Sequence, residues 1–182
     1  MQIEIEGKTL ELRQGDISIQ EVDAIVNAAN SRLAGGGGVD GAIHRGGGPS
    51  IMDETNEKYP EGCPTGSAVI SKAGNLSAQF VIHAVGPVWR GGNRGEATLL
   101  ASAYRRSLEL AAEHNCQSIA FPALSAGAYR YPLDQAARVG LLAAIDFLRQ
   151  HNHPQLVRFV LFDAGAYGAF AAALEELTTA DS

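Results

Sequence analysis

The stretch from Ala24 to His44 constrains this 182-residue chain more than any other. The run Ala24 to Ala28 is apolar on both parities, the pattern of a strand covered on both faces, as in sheets packed between two helical layers. It delivers Asn27-Ala-Ala-Asn30 and then four glycines, Gly35 to Gly38, before Val39-Asp40-Gly41-Ala-Ile-His44 opens a short helix. Four consecutive glycines raise the conformational cost of folding, so something there needs the backbone bare. Two readings stand for such a loop: an ordinary turn, or main-chain N–H groups aimed at an anion at a helix N-terminus.

The rest of the chain fits the same architecture. Ile3 and Ile5 alternate with Glu4 and Glu6, and Thr9 to Arg13 alternates again, predicting two strands at a sheet edge. The helix from Val39 to Arg45 should end at Gly46-Gly47-Gly48, with Pro49 starting another that runs to about Tyr59. Ser67 to Lys72 and Phe80 to Val85 read as strands, and a glycine-rich loop, Arg90 to Gly95, leads into a long helix. Leu100, Ala103, Tyr104, Leu108 and Ala111 mark its buried face. Ile119 to Phe121 is the next strand, ending in a second small-residue loop, Ser125-Ala126-Gly127-Ala128-Tyr129. Pro132 opens a helix carrying Ala137, Leu141, Ile145 and Leu148, followed by a strand from Val157 to Phe162 and a helix from Gly168 to Leu177. The expected fold is α/β, a three-layer α/β/α sandwich with a mixed central sheet. One domain over 1–177 suffices, because two would each be undersized at this length. Thr178 to Ser182 reads as a polar, frayed tail. In such sheets ligands settle outside the carboxyl ends of the strands. Those ends carry Asn27 to Asp40, Ser125 to Tyr129, and Asp163 to Gly165.

Charge and cysteine content narrow the function. A formal charge of −6 disfavours a dedicated nucleic-acid binder, which needs a basic face. Cys63 and Cys116 stand in unrelated contexts with no partner at metal-ligand spacing, so neither a metal site nor a disulfide scaffold is expected. A reducing, intracellular setting follows, the cytoplasm. The first residues lack the apolar core of a signal peptide, no run approaches the roughly 18 apolar residues of a membrane span, and monomer is the default state.

The glycine loop is not a phosphate loop of the Gly-Lys-Ser/Thr type, nor does it match G-x-G-x-x-G with a later acidic partner. A kinase or nicotinamide dehydrogenase is therefore disfavoured. A single asparagine at a strand end is an ordinary turn residue. Asn27 and Asn30 beside Asp40 look instead like a site for sugar hydroxyls. Asp40 is either a first-turn carboxylate serving the helix or a group that orients a water. Tyr129 reads as a stacking or lid residue, Phe162 by default as core, and Trp89 as loop packing. His44 and His83 read as satisfied structural histidines, His151 and His153 as solvated ones.

Five ordered motifs then point to a family. V-N-A-A-N at Val26 to Asn30, G-G-G-G-V-D-G-A-I-H-R at Gly35 to Arg45, C-P-T-G at Cys63 to Gly66, H-A-V-G-P-V-W at His83 to Trp89 and F-P-A-L-S-A-G-A-Y at Phe121 to Tyr129 resemble the macrodomain family. The likeness is to its MacroD-type ADP-ribose hydrolases, above all the small single-domain bacterial members, and runs from Gly15 to about Leu177. The resemblance implies an ADP-ribose cleft at the strand ends. Asp16 would bond the adenine amino group with the Ile17 backbone beside it, and Phe162 would lie near the adenine. Gly37, Gly38 and Val39 would face the phosphates and distal ribose, and Ser125, Ala126, Gly127 and Ala128 would wrap the diphosphate. Tyr129 would pack on the distal ribose. Asn27 and Asn30 would serve that ribose, and Asp40 would act on the attacking water. Two places depart from the family's usual pattern: in the second loop Ala126 replaces a threonine and Arg130 a glycine, and Gly46-Gly47 replaces a pair of alanines.

The implied activity removes mono-ADP-ribose from acidic side chains and deacetylates O-acetyl-ADP-ribose, without a cofactor. The partners expected are ADP-ribose or O-acetyl-ADP-ribose and ADP-ribosylated proteins. The alternative is a module that binds ADP-ribose without turnover; a protein or RNA partner role finds little support in the acidic composition.

Overall fold

The computed structural model describes residues 1–180. Seven strands are present: β1 (Gln2–Ile5), β2 (Lys8–Gln14), β3 (Ala24–Ala28), β4 (Ala68–Lys72), β5 (Phe80–Ala84), β6 (Ser118–Phe121) and β7 (Leu156–Leu161). The helices are α1 (Gly38–Gly47), α2 (Ser50–Lys58), α3 (Glu96–Glu113), α4 (Leu133–Gln150) and α5 (Ala164–Ala180), with a 3-10 turn at Ile17–Ile19. The strands form one sheet in the order β1-β2-β7-β6-β3-β5-β4. Its five central members run parallel, and β1 and β4 close the two edges antiparallel. The sheet is therefore mixed, as expected, and all five parallel carboxyl ends emerge along one edge.

Helices cover both faces, and strand alternation explains why β3 is apolar on both parities. Ala24 and Val26 join the core beneath α3, α4 and α5, where Tyr104, Phe121, Phe159 and Phe170 pack together. Ile25 points the other way, into a smaller core with Ile43 of α1, Ile51 of α2 and Val81. Tyr104 also carries a structural duty at its tip. Its hydroxyl accepts from the Leu124 N–H at 3.0 Å and donates to the Pro122 carbonyl at 3.3 Å, anchoring the chain just before the second small-residue loop.

Four local expectations change. α5 begins at Ala164, four residues earlier than the pattern predicts, because Asp163 Oδ1 caps it by accepting from the Ala166 N–H at 2.8 Å. The helix continues through Ala180, with Thr178 Oγ1 donating to the Leu174 carbonyl, so Thr178 to Ala180 are not a frayed tail; Asp181 and Ser182 lie outside the described residues. His151 is not freely solvated: it caps α4 through Nδ1, 3.1 Å from the Phe147 carbonyl, and its ring stacks on Phe147. Phe162 is not core. It falls one residue past β7 and is 83% exposed.

Candidate active-site cleft

The ladder between β3 and β6 stops at Ile25↔Ala120, short of the carboxyl ends of both strands. A cleft of about 370 Å³ opens there. The loop after β3 forms one wall with Asn30 and Gly36 to Asp40, the loop after β6 forms the other with Ser125 and Gly127 to Tyr129, and Gly86 and Leu124 line it between them. No lysine or arginine lines it. Among the described residues, no cluster of three histidine, cysteine or acidic side chains could hold a metal. What the cleft offers an anion is backbone. α1 starts at Gly38 with no side-chain cap at Gly37, so its first N–H groups are free at the positive end of the helix dipole. Gly35 and Gly38 take left-handed backbone (φ 80° and 57°), which glycine adopts without penalty. A Cβ at Gly37 would meet nothing within 4 Å, so no contact inside the described residues requires glycine there. The Gly62 to Gly66 turn braces this loop from behind, the Cys63 N–H donating to the Ser31 carbonyl at 2.8 Å.

Beneath the glycines lies a buried polar chain. Asp40 is 6% exposed and Asn27 1%. Asn27 Nδ2 donates to Asp40 Oδ1 at 2.8 Å, and His44 Nε2, one helical turn on, lies 3.1 Å from the same oxygen. The second hydrogen of Asn27 Nδ2 meets His83 Nδ1 at 3.2 Å. Because an amide nitrogen can only donate, His83 must accept at Nδ1 and carry its proton on Nε2. That proton points to Ser71 Oγ at 2.9 Å, whose own hydrogen goes to the Lys72 carbonyl. Burial and the nearby His44 push the His83 imidazole from 6.5 down to about 4, outweighing the opposing pull of Glu54, so it stays neutral. The consequence falls on Asp40. Its Oδ1 is fixed from below by two donors, while Oδ2, under Gly36 and without a hydrogen bond among the described residues, is left to act in the cleft.

Asn27 makes this arrangement at a cost. Its Oδ1 is buried with no hydrogen-bond partner, a penalty of about 1–3 kcal/mol. The flipped amide would set a carbonyl oxygen against the Asp40 carboxylate, which is worse.

A two-loop cleft of this construction has known counterparts. The family model for the Macro domain matches residues 26–140. The chain belongs to the macro domain family. It is 55% identical over 170 residues to a macro domain-containing protein of Caldanaerobacter subterraneus, covering 92% of this chain and 97% of that one. It is 53% identical to the O-acetyl-ADP-ribose deacetylase of Salmonella typhimurium over 85% of this chain and 87% of that protein. The solved macrodomain of Oceanobacillus iheyensis with ADP superposes with a TM-score of 0.93 at 40% identity, covering 98% of this chain and 96% of that one. The Trypanosoma brucei macrodomain in complex with ADP-ribose superposes at 0.84 with 38% identity, over 91% and 68% of the two chains.

Within this macrodomain the residues singled out from the sequence divide into three groups. Asn30, Gly37, Gly38, Val39, Asp40, Ser125, Gly127, Ala128 and Tyr129 meet in the cleft. Asn30 is also tied to its own loop, donating to the Gly35 carbonyl and accepting from the Ala34 N–H, so it shapes the wall it stands in. Asn27 lies below the cleft wall rather than in it, and Ala126 packs against the main core. Asp16, Ile17 and Phe162 sit outside this cleft, at the ends of the adjacent strands β2 and β7. Asp16 Oδ1 accepts from the Ser18 N–H and hydroxyl, capping the 3-10 turn, and Ile19 beside it is 70% exposed.

The sequence reading treated His44 and His83 as merely structural. Both are satisfied, yet the partners they satisfy are Asp40 and Asn27. For His44 the signal was available in the i, i+4 spacing from Asp40. For His83 it was not, because its place depends on the β3–β5 register, Asn27↔His83. Arg130 takes left-handed backbone (φ 63°), as does Ser125 (φ 65°). Gly47 packs tightly under α2, where an added Cβ would collide with the Ile51 side chain.

Proposed function

We propose that this macrodomain is a hydrolase acting on esters of the distal ribose of ADP-ribose, removing mono-ADP-ribose from acidic side chains and deacetylating O-acetyl-ADP-ribose. Kinship with the Salmonella typhimurium deacetylase supports the enzyme class. The observation that carries the reading is the division of labour within Asp40: Oδ1 is held by Asn27 and His44, and Oδ2 is free at the cleft. A carboxylate so oriented takes the hydrogen bond of a water and aims its oxygen at an ester carbon. In glutamate-linked ADP-ribose the water adds at the anomeric carbon, the ribose–oxygen bond breaks and glutamate leaves as carboxylate. The same assisted water attacks the acetyl ester carried by the same ribose.

The ligand's length fits the order of strand ends. From β2 to β3 the sheet takes three steps of roughly 4.8 Å, about 14 Å in all. An adenine near Asp16, Ile17 and Phe162 would leave the diphosphate over the β6 loop and the distal ribose beside Asn30 and Asp40. Ser125 Oγ, buried in the cleft wall without a partner, is the side-chain donor suited to a phosphate oxygen. The first N–H groups of α1 are the backbone donors.

The deciding assay compares wild type with Asp40→Ala on glutamate-linked ADP-ribose and on O-acetyl-ADP-ribose. Loss of at least a hundredfold in kcat with ADP-ribose binding retained is expected. An unchanged rate would refute the role of Asp40. Tight ADP-ribose binding by wild type with no product would favour a non-catalytic binding module.

A further inference from the structure

The glycine-rich loop between β5 and α3, Arg90-Gly-Gly-Asn-Arg-Gly95, has no part in the chemistry above, yet it is firmly built. Three of its N–H groups, from Arg90, Gly92 and Arg94, converge on the Glu96 carboxylate at 2.9, 2.9 and 2.6 Å. Glu96 is 2% exposed, and those donors, Arg90 first, hold its pKa down to about 2. Gly91, Gly92 and Gly95 all take left-handed backbone, and Gly92 lies so close to the Trp89 ring that a Cβ would come within 2.8 Å of it. The Trp89 N–H donates to the Tyr129 carbonyl at 2.8 Å, which fixes the loop against the second wall of the cleft. What this construction presents to solvent is Arg90 and Arg94.

Those two belong to a wider pattern. Among the described residues, the side chains of Arg32, Arg45, Arg90, Arg94 and Arg130 make no hydrogen bond or ion pair, and all are exposed. Arg32 and, on α1, Arg45 follow β3, Arg90 and Arg94 follow β5, and Arg130 follows β6, the three strands whose following segments line the cleft. Arg13, Arg105, Arg106, Arg138 and Arg158, on strands or on α3 and α4, are paired with acidic side chains. In a protein of net charge −6 these unneutralised arginines thus all follow the strands whose ends bound one cleft, and that cleft's own lining holds no cation.

We infer that this rim, led by the Glu96-clamped Arg90 and Arg94, is the docking surface for the polypeptide that carries the ADP-ribose, and that it selects modified residues flanked by further acidic side chains. The inference rests on the hydrolase reading of the cleft. The diphosphate is served by backbone N–H groups inside the cleft, which leaves the rim cations for what protrudes from it. An acidic peptide segment fits this charge, whereas a nucleic acid needs a longer basic track than a net-negative surface offers. Screening over roughly 8–10 Å confines the effect to residues close to the modified one. Two exposed arginine–carboxylate contacts support a preference of about fivefold in kcat/KM.

The test uses three substrates: O-acetyl-ADP-ribose, and two peptides carrying the same glutamate-linked ADP-ribose with either Glu/Asp or Gln/Asn flanks. Wild type and the Arg90→Gln, Arg94→Gln double variant are assayed at low and physiological salt. Wild type should turn over the acidic-flank peptide about fivefold better, the double variant should lose that preference, and both should hydrolyse O-acetyl-ADP-ribose equally. Equal rates on the two peptides with wild type, a preference surviving in the variant, or an equal loss on O-acetyl-ADP-ribose would each overturn the inference while leaving the hydrolase reading intact. Silence on all three substrates would instead remove the hydrolase reading and the inference together. A single-stranded oligonucleotide that competes better than an unmodified acidic peptide of equal charge would overturn the inference in favour of nucleic acid.

Discussion

His83 should make this protein acid-sensitive in a way one substitution can separate from everything else. Its imidazole is 2% exposed, and its Nδ1 must accept from Asn27, so a proton there would set two donors against each other. The folded value of about 4 lies below the ordinary 6.5, so between these limits the unfolded chain binds more protons than the folded one. The stability His83 contributes is complete above pH 6.5, drains as pH falls, and is gone below about pH 4. Linkage between those two values gives a loss of about 2–3 kcal/mol between about pH 7 and about pH 4.5. The charged groups facing His83 are Asp40 and His44 on α1 and Glu54 on α2, and these remain in the variant chosen, His83→Asn. Asparagine keeps an acceptor near the Nδ1 position and does not titrate. Ser71 retains its bond to the Lys72 carbonyl, so the neutral-pH cost should be about 1 kcal/mol. Urea unfolding followed by circular dichroism at both pH values reads the difference, in which contributions from carboxylates common to both proteins cancel. The variant should overtake wild type near about pH 5.5 and be the more stable protein at pH 4.5. Parallel losses in the two proteins would show that His83 is not held neutral by this network, and the account of how Asn27 and Asp40 are oriented would fall with it.

Other consequences are as direct. Gly86→Ala would drive a Cβ into Ser125, displacing the second wall, and calorimetry should find ADP-ribose binding weakened at least tenfold with little change in melting temperature; unaltered affinity would contradict the packing. Tyr104→Phe strands the buried Leu124 N–H and should cost about 1–3 kcal/mol in chemical denaturation. Arg130→Gly should stabilise the fold by about 0.5 kcal/mol, the strain of left-handed backbone less the added freedom of the unfolded glycine; a destabilised variant would mean the Arg130 side chain contributes packing of its own.

Much of this protein is legible along the chain. Apolar runs and helical spacing mark each strand and helix, because burial on a sheet or helix face imprints a period of 2 or 3.6 on neighbouring residues. Gly35 and Gly38 announce bare backbone for a local reason, since their left-handed dihedrals penalise a Cβ wherever the rest of the chain lies. Helix ends were less secure. The pattern starts α5 at Gly168, whereas the Asp163 cap and packing on the sheet start it at Ala164.

What the sequence could not carry is long-range register. Asn27 and Asp40 lie close enough in the chain for a loop to join them, but His83 reaches Asn27 across 56 positions only because β3 and β5 pair Asn27 with it. The same holds for the gathering of arginines from three separate loops, which becomes a rim only when the strand order sets β6, β3 and β5 side by side. Local pattern says which residues are buried and which backbone must be bare. Pairing across the sheet decides which polar groups meet there, and the orientation of Asp40 is the product of that pairing.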